Sequence, residues 1–171
     1  MGMAAGTILI SAEEYLRTTY KPACEYIDGL LRPKPMPTYK HGKMELRACN
    51  LIDQLNAGFE AVPEQTVRLR EGKYLVPDVA VQQIAKLQQP YPSEPIYLCI
   101  EVLSPEDRFS DTVAKCEDYH AWGVQFCWIV DPEKQRCWEY EFGDRPRQIS
   151  PSGQLTAGAI VVSISDLFAG F

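Results

Sequence analysis

Ile96-Tyr97-Leu98-Cys99-Ile100-Glu101-Val102-Leu103-Ser104-Pro105-Glu106-Asp107 is the stretch that decides the fold. Apart from Glu101, the run from Ile96 to Leu103 is apolar on both faces, the pattern of a strand inside a sheet covered on both sides. Ser104, Pro105, Glu106 and Asp107 follow in the order of an N-cap, a first-turn proline and two acidic residues, and Gly123 closes the periodic segment behind them, so the spacing predicts a helix over roughly 109–122. A buried strand feeding a helix is a building unit of layered α/β architecture. Glu101 breaks the apolar layer, where an ionised carboxylate is costly unless a metal, a cation or hydrogen bonds offset its desolvation.

Working outward, Pro77-Asp78-Val79-Ala80-Val81 sets a second carboxylate at the head of a short strand, and Phe126 to Asp131 reads as another buried strand. Arg136 to Phe142 pairs with the latter after the turn Asp131-Pro132-Glu133-Lys134, which makes the sheet mixed. Ser11 caps a helix over 12–18, with acidic residues in its first turn. Ala23 to Ile27 is a strand turned by Asp28-Gly29 into Leu30-Leu31-Arg32, and Pro33, Pro35 and Pro37 stop it. A long helix is predicted from His41 to about Gly58. Thr66 to Arg70 alternates as a half-wet strand, Glu71-Gly72-Lys73 turns the chain, and Ser165 to Phe168 forms a terminal helical turn. The fold class is α/β (α+β), a central mixed β-sheet flanked by helices, as a single domain over 1–171 with its core at about 10–168.

The chain has 171 residues, of which 46% are apolar, enough for one full core. No apolar run approaches the roughly 20 residues of a membrane helix, no signal-peptide pattern opens the chain, and Met1-Gly2-Met3 reads as partly an expression remnant, so a cytoplasmic location is expected. Six cysteines without a Cys-x-x-Cys pair exclude zinc-ribbon and thioredoxin-like spacing and point to buried free thiols. A net charge of −6 excludes a surface that binds nucleic acid all over. It leaves room for a local basic groove, with Lys40, Lys43 and Arg47, Arg68 and Arg70, or Arg145 and Arg147 as candidates.

If the Asp78 and Glu101 strands are antiparallel neighbours, their carboxylates converge. By parity Glu101 shares a face with Tyr97, Cys99 and Leu103, and Glu25 shares one with Ala23 and Ile27, which points a third carboxylate inward. Such a trio suits Mg²⁺, which takes oxygen ligands. Lys115, one turn after Asp111 and aligned with Tyr119 and Trp122, either reaches that site or forms a surface ion pair with Asp111. Asp78 alone is equally an ordinary turn residue, Glu25 a capping group or an arginine partner. His41, a possible substrate contact, either hydrogen-bonds a phosphate or is a surface histidine at a helix start.

Taken in order, Glu25-Tyr26-Ile27-Asp28-Gly29, Met36-Pro37, His41, Pro77-Asp78-Val79-Ala80-Val81, Glu101-Val102-Leu103-Ser104-Pro105, Lys115, Tyr119, Gly123-Val124 and Trp128-Ile129-Val130-Asp131-Pro132 resemble the Uma-type family of restriction-endonuclease-like proteins, within the PD-(D/E)XK nuclease superfamily. The resemblance covers roughly residues 10–168. It implies a restriction-endonuclease-like fold, hydrolysis of DNA phosphodiester bonds with Mg²⁺ or Mn²⁺, Asp78 and Glu101 as metal ligands, Glu25 as an additional carboxylate, Lys115 as the catalytic lysine, and a homodimer. The superfamily places its lysine two residues after the second acid, where this chain has Leu103, so Lys115 must stand in from the helix. The alternatives are a non-catalytic nucleic-acid or protein-binding module that retains the fold, and a metal-dependent hydrolase of small phosphoesters.

Overall fold

The computed structural model describes residues 9–171, and Met1-Gly2-Met3 lies outside them. In chain order the elements are α1 (Ala12–Arg17), β1 (Cys24–Ile27), β2 (Leu30–Pro33), α2 (Tyr39–Gln54), β3 (Phe59–Pro63), β4 (Val67–Arg70), β5 (Lys73–Leu75) and β6 (Val79–Gln83). After a short 3₁₀ turn come β7 (Leu98–Val102), α3 (Phe109–Trp122), β8 (Phe126–Asp131), β9 (Arg136–Glu141), β10 (Arg147–Gln148), β11 (Gln154–Ala157), β12 (Ile160–Ser163) and α4 (Ile164–Leu167). The main sheet runs β10-β9-β8-β7-β6-β3, a smaller one runs β2-β1-β5-β4, and β11 pairs with β12.

All five residues of β7 are buried, as expected for a strand with neighbours on both edges and packing on both faces. It is antiparallel to β6, with Val79 opposite Ile100, and parallel to β8, with Glu101 opposite Ile129. A parallel pair needs a crossover between its strands, and α3 supplies it. Side-chain alternation along β7 splits the core. Leu98, Ile100 and Val102 pack with Met44, Ala48 and Ile52 of α2 and with the β11–β12 pair, while Cys99 packs with Cys116 and Tyr119 of α3 on the opposite face. Tyr97 precedes β7 and escapes its parity, packing against Phe59 and Phe126 instead of sharing the face of Glu101.

Several boundaries differ from the sequence expectation for local reasons. Helix α2 starts at Tyr39 because Thr38 is its N-cap, accepting a hydrogen bond from the His41 N–H, and it ends before Asn56 and Gly58, both at positive φ. The freed residues 55–58 make the turn into β3, an edge strand of five residues ending at Pro63 that is too short to show as alternation. β5 is likewise hidden behind the Glu71-Gly72 turn. Ser104 and Asp107 do not cap α3. They close a turn of their own, in which the Ser104 N–H donates to Asp107 Oδ2 at 2.7 Å and the Asp107 N–H to the Ser104 carbonyl at 3.0 Å. All six cysteines are free thiols, five of them buried, and no described helix is long and apolar enough to cross a membrane.

Gly123 ends α3 at φ +120°, and a Cβ there would come within 2.7 Å of Pro95 Cγ. Gly123→Ala is therefore expected to cost about 1–2 kcal/mol, read as a lower urea midpoint with an unchanged slope.

Candidate active site

Three carboxylates sit deep in a cleft of about 1430 Å³ that opens between the two sheets. Glu25 is 3% exposed, Asp78 3% and Glu101 6%, burial that requires compensation. The β6–β7 register creates the convergence: Asp78 immediately precedes β6 and Glu101 lies one residue past the partner of Val79. Asp78 Oδ2 accepts the Val102 N–H at 2.6 Å, so the backbone of β7 itself ties the two acids together.

Lys115 reaches the site. Its Nζ lies 2.8 Å from Glu25 Oε1 and 2.9 Å from Glu101 Oε2, and it donates to the Val76 carbonyl at 3.1 Å. The surface pairing with Asp111 is not formed. One turn on, the Tyr119 hydroxyl donates to Glu101 Oε1 at 2.8 Å, so α3 holds both oxygens of this carboxylate. Glu25 accepts the Val76 N–H at 3.0 Å and the Arg32 Nε–H at 2.9 Å.

Three neighbours were missed in the sequence. Lys34 donates to Asp78 Oδ1 at 2.8 Å, to both oxygens of Glu64 at 2.9 and 2.8 Å, and to the same Val76 carbonyl at 3.1 Å. It sits between Pro33 and Pro35, which read as strand stops. Glu64 has a positive φ after β3, a strand the pattern did not show. Glu45 is one turn beyond His41, and its i,i+4 spacing was the available signal. His41 is 6% exposed, which removes the surface reading. Its Nε2 is 3.4 Å from Asp78 Oδ2 and its Nδ1 is 3.7 Å from Glu45 Oε2.

Five of the seven residues proposed for a basic groove are engaged with neighbouring groups. Lys40 pairs with Glu133, Lys43 and Arg47 bind carbonyls at the end of α4, Arg70 pairs with Asp28 and Arg147 with Glu139.

The electrostatics separate the acids. Burial pushes Glu101 up to about 7, against the partial relief of Lys115 and with added repulsion from Asp78. Burial also opposes the Asp78 anion, but Lys34, His41 and Lys115 outweigh it and hold Asp78 well below the usual carboxylate range. Glu25 is lowered, its burial outweighed by Lys115 and Arg32. Burial opposes the Lys115 cation, yet Glu101, Glu25 and Asp78 raise it above its ordinary value. For His41, burial is outweighed by Asp78 and Glu45, which lift it to about 10. Glu101 thus carries negative charge that its lysine does not fully offset. Two buried carboxylates of unequal charge compensation are the kind of oxygen donors that a divalent cation takes. Among the described residues, the three side chains that present ligand atoms within 4.8 Å of one another are His41, Glu45 and Asp78.

Comparison with known proteins gives the family and the fold. The family model "Uma2: Putative restriction endonuclease" matches residues 12–170. The chain belongs to the Uma2 family. The fold of this Uma2 protein is similar to that of a solved "putative nuclease belonging to DUF820" from Anabaena variabilis ATCC 29413, with a TM-score of 0.79, 23% identity, and coverage of 94% of this chain and 98% of that one. No curated protein matches the chain. The Uma2 match and the shared fold make the architecture restriction-endonuclease-like, a mixed sheet flanked by helices.

Proposed function

We propose that this protein is a divalent-metal-dependent endonuclease that hydrolyses DNA phosphodiester bonds, working in the cytoplasm as a homodimer of a single domain over 1–171. The observation that carries the reading is the convergence of Asp78 and Glu101 across β6 and β7, with the Lys115 ammonium 2.9 Å from Glu101. Mg²⁺ or Mn²⁺ on Asp78 and Glu101 would supply Lewis-acid stabilisation of charge on the phosphoryl group.

The chain's own groups do the rest. Lys115 stands in for the lysine that the superfamily carries at the position of Leu103, because α3 brings its Nζ to within 2.9 Å of Glu101. A fixed ammonium in a site of low dielectric stabilises developing negative charge and orients a water. Glu25, locked by Arg32 and the Val76 N–H, positions Lys115. Tyr119 fixes the rotamer of Glu101.

Supercoiled plasmid incubated with Mg²⁺ or Mn²⁺ should be nicked and linearised, and EDTA should stop the reaction. The engagement of the surface cations with neighbouring groups favours a second reading, a non-catalytic binding module that keeps the fold. Saturable Mn²⁺ binding without any cleavage of plasmid or oligonucleotides would decide for that module. Turnover of nucleotides alone would instead indicate a hydrolase of small phosphoesters.

A further inference from the structure

The nuclease reading uses the acids and lysines deep in the cleft and leaves the aromatic groups that line it without a role. Tyr26, Tyr15 and Tyr20 form a pile, in which the Tyr15 ring lies 5.2 Å from Tyr26 at 25° and 6.0 Å from Tyr20 at 18°. Tyr15 and Tyr26 are buried, and their hydroxyls donate to the Cys24 carbonyl at 2.8 Å and the Ile10 carbonyl at 3.0 Å, which fixes both rings. Tyr74 closes the Tyr26 end of the pile, its ring 6.0 Å away at 62°. The other end is open. Tyr20 is half-buried and, with Tyr15, lines the cleft that holds Glu25, Asp78 and Glu101. Tyr91, set at 85° to Tyr74, is half-buried and lines the same cleft. Strand β1 ties the pile to the acids, since Tyr26 follows Glu25 along it.

A pile of aromatic rings fixed at one end and open at the other is a platform for one more flat ring. Nucleobases are such rings, and every base has a π-face to offer. In a paired duplex each base is already stacked on both faces, so only an unpaired base presents one to Tyr20. The charges of the cleft favour the same occupant. Lys34, Lys115 and Arg32 are held by the buried acids. Lys21 and Arg108, both exposed on the cleft lining, form no ion pair among the described residues. Glu64, Glu106 and Asp111 line the cleft as well. A duplex carries one phosphate charge per roughly 1.7 Å of its axis and a single strand about half that density, so these acids oppose a duplex more strongly. At about 1430 Å³ the cleft also exceeds the roughly 300–1,000 Å³ of a small-molecule pocket, which suits a stretch of chain.

We propose that this cleft takes single-stranded DNA, free or as an opened stretch of duplex, with one base stacked on Tyr20 as the next ring of the pile and flanking phosphates met by Lys21 and Arg108. Tyr20 is then a specificity-determining residue that touches the substrate away from the reacting phosphate. Because Tyr15 and Tyr26 already hold the platform in place, little side-chain ordering opposes the stacking. The inference rests on the nuclease reading for the place of cleavage, whereas the stacking is observable without any cleavage.

The test uses the full chain in Ca²⁺, a hard ion that takes carboxylate oxygens, and oligonucleotides carrying 2-aminopurine at several positions, a base whose fluorescence is quenched by stacking. Wild type should bind the single strand about tenfold or more tighter than the same strand annealed to its complement, and should quench the probe. Tyr20→Leu should weaken single-strand binding by about fivefold or more and lose the quenching, with circular dichroism and thermal melting reporting an intact fold. Tyr20→Phe, which keeps the ring, should retain both. A duplex bound as tightly as the single strand, or quenching that persists in Tyr20→Leu, would overturn the assignment. Single strands that are bound and quenched but never cut in Mn²⁺ would defeat the nuclease reading alone. Duplex cut as fast as single strand, at a rate untouched by Tyr20→Leu, would defeat this inference alone.

Discussion

Lys115→Met is expected to abolish DNA cleavage and to destabilise the metal-free protein by about 3–5 kcal/mol at pH 8. Methionine keeps the length of the side chain and removes its charge. Glu101 then retains only Tyr119, and Glu25 only Arg32 and the Val76 N–H. Breaking a buried ion pair from one side is costly because the other charge stays behind without compensation. The deficit should depend on pH in a defined direction. In the wild type Glu101 titrates at about 7, above its ordinary 4.5. A carboxyl raised in the folded state contributes stability that is fully present below the unfolded value and is lost as pH rises through the folded one. Removing Lys115 raises Glu101 further, so the variant should recover stability as pH falls from 8 toward 5. Urea melts in EDTA at those two pH values measure this, and a variant as stable as wild type at pH 8 would show that Lys115 is not the counter-ion of the buried acids.

Asp78→Asn and Glu101→Gln should each reduce cleavage by at least about 10²-fold, yet shift metal-free stability in opposite directions. Asp78 is held low by Lys34, His41 and Lys115 despite its burial. Its ionised form therefore contributes stability above the unfolded value, lost as pH falls, and the amide forfeits it at roughly 1–3 kcal/mol. Glu101 is the reverse case. Its charge is under-compensated, and an amide keeps an acceptor for Tyr119 while shedding the ionic burden, for a gain on the order of 1–3 kcal/mol at pH 8. Saturating Mn²⁺ should invert the ranking, since an ion at 100 times its Kd stabilises only the protein that binds it, by about 2.7 kcal/mol. Thermal melts of the three proteins in EDTA and in Mn²⁺ provide the comparison. Equal destabilisation of both variants in EDTA would contradict the unequal compensation of the two acids.

These contrasts also mark how far the sequence could be read. The strand that became β7, the helix over 109–122 and the Asp28-Gly29 turn were legible because each is written in neighbouring residues: a run apolar on both faces, a period of 3.6 closed by glycine, and a dipeptide suited to positive φ. Asp28 and Gly29 indeed adopt φ 48° and 92°. Parity was enough to turn Glu25 and Glu101 inward, and the antiparallel pairing expected of the Asp78 strand brought Asp78 beside them. It failed at Tyr97, which lies just outside its strand, and at β3 and β5, whose three to five residues hold too few alternations.

What the sequence by itself determined is the mixed sheet, the inward acids and a lysine on the following helix, since these depend on spacing along the chain. Only the tertiary structure decided which charge faces which. Lys34 arrives from a proline-bounded segment beside β2, Glu64 from the turn after an edge strand, and His41 with Glu45 from the far side of the cleft. Their partners lie tens of residues away, and local pattern carries no information about what stands across a gap. Lys115 shows the difference most directly: its neighbour in sequence was Asp111, and folding placed it instead against Glu25 and Glu101, where burial makes the pairing matter.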